Sequence, residues 1–142
     1  MKTLQQIFDA VATHLLKQNR QAKDGLSCCY RGIENTKCAV GCLIDDANYH
    51  PDMEGYTVED ITYLLQEYGA NVNGVEIPAD YHSSHMLFNA LLANKVNCEA
   101  PGVLALLDSL QGCHDSYPPS QWEVELQSIA NSNGLTFNHV QA

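Results

Sequence analysis

Apolar residues recur every three or four positions in five stretches of the chain, separated by segments rich in Gly, Pro, Asn and Asp. Leu4, Ile7, Phe8, Val11 and Leu15 make the first stripe, the spacing of one helix face. Thr3 and Gln6 stand at its start as a capping box, which predicts a helix over residues 4–18. Thr57, with Asp60 three residues on, opens a second stripe of Val58, Ile61, Leu64 and Leu65 that Gly69 ends. A third covers residues 83–95 through Met86, Leu87, Ala90 and Leu91. Pro101 starts a fourth containing Leu104, Leu107 and Leu110. Ser120 and Glu123 read as the capping box of a fifth, with Trp122, Leu126, Ile129 and Ala130 inside and Gly134 at its end.

Residues 26–44 break that rhythm. Cys28 to Arg31 reads as a short strand, Gly32 to Thr36 as a turn, and Lys37 to Ala39 as the return strand. The alternative is that Cys38 opens a short helix ending near Ile44. Asn19 to Gly25, Asp45 to Gly55 and residues 70–80 read as loops, the last with an optional strand at Val75 to Ile77. Leu135 to Phe137 is expected to add a strand or to pack back on the core. The sum is a mainly α fold: one small domain over 1–142, of about five helices, with a short β-hairpin near residues 28–39. A chain of this length buries roughly two-thirds of its unfolded surface, so it needs no staples.

No apolar run approaches the ~20 residues of a membrane helix. The first residues lack the apolar core and cleavage site of a signal peptide. We therefore expect a cytoplasmic protein without membrane association. In that setting Cys28, Cys29, Cys38, Cys42, Cys98 and Cys113 are thiols or metal ligands rather than disulfides.

Charge narrows the partners. The net charge is −10, split as +3 over residues 1–37 and −13 over 38–142, where Lys95 is the only Lys or Arg. Such a surface repels phosphate backbones, which argues against nucleic acid, and it suits a basic protein partner. Asp45, Asp46, Asp52 and Glu54 are the candidate partner-binding residues on that surface. The plain alternative is a solubilising shell. A homo-oligomer stays open.

Four constellations carry possible chemistry. Cys28, Cys29, Cys38 and Cys42 lie within fifteen residues. If the stretch is helical, Cys38 and Cys42 share one face and can share a zinc ion with Cys28. No Cys-x-x-Cys knuckle supports this, so no cofactor is expected, and Cys38 and Cys42 read equally as small buried apolar residues. His82 and His85 fall one turn apart if residue 82 is helical, but they need a further ligand. His114-Asp115 matches the central pair of a metal phosphohydrolase, or a histidine that caps the end of its helix. Finally, Cys38 at a helix start beside Lys37 would be an activated nucleophile, with His114 or His85 as base and Asp115 or Asn89 orienting it. Separately, Tyr30, Arg31 and Lys37 could bind a nucleotide-like ligand, because Gly32 and Gly41 allow close backbone approach. Gly-rich phosphate loops are absent, and no catalytic motif is complete.

Cys29-Tyr30-Arg31-Gly32, the run Lys37 to Ile44, Met53-Glu54-Gly55, Leu110-Gln111 with His114-Asp115, and Trp122 with Leu126, Ile129 and Ala130 together resemble an uncharacterised family of small accessory proteins of tailed phages and prophages. The resemblance spans most of the chain. It implies a phage-type product that binds and inhibits or modulates a host protein, a defence protein being one option, in the host cytoplasm. It carries over no functional residue.

Overall fold

The computed structural model describes residues 1–137. Five helices form: α1 (Leu4–Gln18), α2 (Val58–Tyr68), α3 (His82–Ala93), α4 (Val103–Ser116) and α5 (Pro119–Ser132). The mainly α expectation holds, and α1 has the bounds its apolar period predicts. Thr3 accepts from the Gln6 amide while Gln6 returns a bond to the Thr3 amide. Such a cap contributes about 1 kcal/mol. Asn19, left-handed at φ 53, ends the helix. The Thr57–Asp60 box opens α2 in the same way.

Helix α4 is the hub and packs on α1, α2 and α5, while α3 lies against α2 and the turn at Pro51–Met53. One core runs through them. It holds Ile7, Phe8, Leu15, Ile61, Leu64, Leu87, Leu91, Leu106, Leu110 and Trp122, all essentially without solvent contact. Among the described residues, no buried side-chain nitrogen or oxygen lacks a hydrogen-bond partner. None of their helices is long and apolar enough to cross a membrane.

Four local expectations are corrected. The hairpin pairs β1 (Lys23–Asp24) with β2 (Ser27–Cys28) around Gly25 at φ 66, earlier than predicted. Of the pairing expected over 28–39, a single bridge between Arg31 and Lys37 remains. Cys38 opens no α-helix; a 3-10 turn follows at Gly41–Leu43. Helix α5 starts at Pro119, with Pro118 as its cap and no bond from Ser120, because proline's fixed φ suits the first helical position. No strand forms at Val75 to Ile77. The tail packs back: Phe137 meets Phe8 edge-on at 5.6 Å, and the Thr136 amide donates to Gln5.

Candidate functional site

Four segments enclose a cleft of about 370 Å³, one of them through Cys38 and Val40. Cys28, Cys29 and Tyr30 form one wall as the chain leaves β2. Glu54 to Glu59, leading into α2, form the second. Helix α4 supplies the floor through Asp108, Gln111, Gly112 and Asp115. A second groove of about 440 Å³ continues between α2 and α4 and shares Val58, Glu59 and Asp108 with the first. Four carboxylates line the cleft, those of Glu54, Glu59, Asp108 and Asp115, and among the described residues no Lys, Arg or His does. Gly112 sits inside α4, where glycine costs about 1 kcal/mol against alanine. A Cβ built there meets nothing within 4 Å, so the floor is open above it.

The walls are held by partly buried polar contacts. Glu54 accepts from the amides of Tyr30 (2.9 Å) and Arg31 (3.2 Å) and from the Tyr49 hydroxyl (2.7 Å). Tyr30 donates its hydroxyl to the Tyr56 carbonyl. Burial pushes that phenol well above its ordinary range, so it stays a donor. Arg31 donates to the carbonyls of Tyr30, Gly41 and Ile44, pairs with Asp46 at 3.1 Å, and lies 4.8 Å over the Tyr49 ring. Lys37 also reaches Asp46, at 3.4 Å, and its hydrogen bond and charge hold that carboxyl below the usual range. Gly41 is required because a Cβ there would collide with the Tyr30 carbonyl oxygen. Its close approach is to the chain itself.

Beneath the cleft lies His114, with no exposed surface. Its Nε2 accepts the Ala22 amide at 2.9 Å, so that nitrogen carries no proton. Nδ1 therefore bears it and donates to Asp115 Oδ1 at 2.6 Å. The ring stacks on Trp122 at 5.6 Å. Gln21, one residue earlier than Ala22, donates to the His114 carbonyl at 2.8 Å, so residues 21–22 tie off the end of α4. Cys28 Sγ completes a trio with His114 and Asp115 whose ligand atoms lie within 4.8 Å of one another. A metal on Nδ1 would require the proton on Nε2, where it would face the Ala22 N–H donor. The hydrogen-bond order thus opposes metal at this place.

The thiols are quiet. Burial, then the Asp115 charge, pushes Cys28 up to about 11. Cys38 is 1% exposed, and burial raises its thiol further still. Burial takes Cys42 to about 12.

Several sequence candidates change role. Cys38 is neither activated nor at a helix start: its sulfur accepts the Gly41 amide, and both ring nitrogens of the proposed base, His114, are engaged. Cys38 and Cys42 do not join Cys28 in a cluster, since the 3-10 turn replaces the helix that would align them, and Cys42 donates to the Ala39 carbonyl. Arg31 has its terminal N–H groups occupied by protein oxygens, which withdraws the main donor from the ligand reading of Tyr30, Arg31 and Lys37. Asp45, Asp46 and Asp52 are exposed, whereas Glu54 is partly buried and clamps the wall. Sequence reasoning missed Glu59, Asp108 and Gly112. Asp108, Gly112 and Asp115 share a helix face by their spacing of four and three, a signal available in the sequence. No protein-family model, curated protein or solved structure matches the chain, so geometry carries the functional argument.

Proposed function

We propose that this chain is an interaction protein whose acid-lined cleft takes a basic segment of a partner protein. The observation that supports this is a pair of adjoining depressions that share Val58, Glu59 and Asp108 and are lined by four carboxylates and, among the described residues, by no cation. Its extension between α2 and α4 suits an extended chain rather than one compact ligand. Partly buried hydrogen bonds fix the walls before any partner arrives, which reduces the ordering cost of binding. Charge complementarity favours Lys- and Arg-bearing partners and speeds their encounter at low salt. Binding fits this site better than hydrolysis, since the neighbouring thiols are held protonated and His114 has no nitrogen to offer. The resemblance to phage accessory proteins makes a host protein the expected partner, inhibited or modulated by occupation of the cleft.

The test is selection from a peptide library of fixed length and varied net charge. Peptides carrying Lys or Arg should be enriched by the native chain and lost as salt rises. Gly112→Trp, which fills the floor, and Asp108→Lys, which reverses its charge, should each abolish enrichment while circular dichroism stays native. Enrichment that ignores charge, or survives both substitutions, would refute the reading.

A further inference from the structure

A second cleft, of about 550 Å³, lies between α3 and residues 47–50 and is bordered by His50, His82 and His85. Metal-binding histidines characteristically donate their other ring N–H to a carbonyl or carboxylate, which fixes the tautomer and leaves a lone pair for the ion. His82 and His85 both show this pattern. His82 Nε2 donates to the Ile77 carbonyl at 2.7 Å, and His85 Nε2 donates to Asn73 Oδ1 at 2.7 Å. Asn73 in turn donates Nδ2 to Asn89 Oδ1 at 3.0 Å, which fixes the orientation of its amide. Each imidazole is left with an unprotonated Nδ1, and the two residues are one turn apart at the start of α3.

His50 differs. Its Nδ1 accepts the Asp52 amide at 3.0 Å, so the proton sits on Nε2 and no lone pair remains. Among the described residues, the only trio of potential ligands close enough to share an ion is Cys28, His114 and Asp115. No trio that includes His82 and His85 has ligand atoms this close, which leaves positions for water or an outside ligand.

We propose that His82 and His85 form a two-nitrogen site for a divalent transition metal, bound through their Nδ1 atoms with solvent in the remaining positions. Imidazole nitrogen suits nickel, cobalt and zinc, with nickel bound more tightly than cobalt. The site stands apart from the acidic cleft and does not depend on its role.

The test is calorimetric titration of the full chain, its cysteines kept reduced, with Ni²⁺ alone. One ion per chain is expected. His82→Gln and His85→Gln should each weaken binding by roughly tenfold or more, and Asn73→Ala, which removes only the oxygen that accepts from His85 Nε2, by roughly tenfold. His50→Gln and Cys28→Ser should leave it within about twofold, a control set by their exclusion from the ligand pair. The absorption spectrum with Co²⁺ should lack a thiolate-to-metal charge-transfer band. No Ni²⁺ binding, binding indifferent to both α3 histidines, or binding lost in Cys28→Ser with a thiolate band would overturn the assignment.

Discussion

His114 and the His82–His85 pair use the same hydrogen bonds to opposite ends. At His114 a backbone amide takes one ring nitrogen and a carboxylate the other, inside the core. At His82 and His85 an oxygen takes only Nε2, at the protein surface. The buried ring is a structural tie between residues 21–22 and the end of α4, while the surface rings keep a nitrogen each. The availability of histidine chemistry here follows from what the second nitrogen meets. An adjacent aspartate does not decide it, although His114-Asp115 is the more suggestive pair in the sequence.

The sharpest way to break this contrast is truncation. His114→Ala removes a fully buried ring, exposes a void beside Trp122, and strands the Ala22 amide. Its cost should be about 3–5 kcal/mol in urea unfolding. His82→Ala should cost less than about 1 kcal/mol in the same experiment, since one peripheral hydrogen bond is lost. Equal costs would erase the distinction between tie and surface pair.

His14 sharpens the comparison from the other side. Its Nε2 donates to the Lys37 carbonyl at 2.8 Å, which leaves Nδ1 unprotonated, as on α3. Burial, outweighing that bond, lowers its pKa, with the charges of Lys37 and Arg31 adding to the effect. The folded value lies below the unfolded value near 6.5, so the unfolded state binds more protons between the two. The stability that His14 contributes is present above about pH 6.5 and is lost as pH falls from there toward the folded value. We predict that His14→Gln flattens the stability curve below pH 6.5, by at most about 1.4 kcal/mol per pH unit. A curve of unchanged slope would contradict it.

Smaller effects probe the cleft above the tie. Gly112→Ala should stabilise the chain by about 1 kcal/mol, because helix propensity improves and the Cβ enters open space. Asp115→Asn removes the charge that helps keep Cys28 protonated. Alkylation of Cys28, followed by peptide mass spectrometry, should then reach half its limiting rate at lower pH than the native value of about 11.

The helices were legible wherever a cap and a 3.6-residue period agreed, as at Thr3 and Thr57. The hairpin was misplaced because Lys23, Asp24 and Ser27 show no alternation, although Gly25-Leu26 fits a two-residue hairpin loop with glycine first. Cys38 and Arg31 looked chemical in sequence because residue type hides burial and hydrogen-bond satisfaction. Arg31 is occupied by carbonyls of residues 41 and 44, a contact no spacing rule announces. The cleft needed both α4, whose Asp108, Gly112 and Asp115 are periodic, and Glu54 and Glu59, which tertiary packing brings opposite them.

The most direct test of the cleft's role is an amide NMR map of the ¹⁵N-labelled chain during titration with a Lys- and Arg-rich peptide. The account predicts saturable shifts confined to residues 28–30, 54–59 and 108–116, absent in Gly112→Trp. Shifts centred on α5 or on residues 45–52, or none at all, would contradict it.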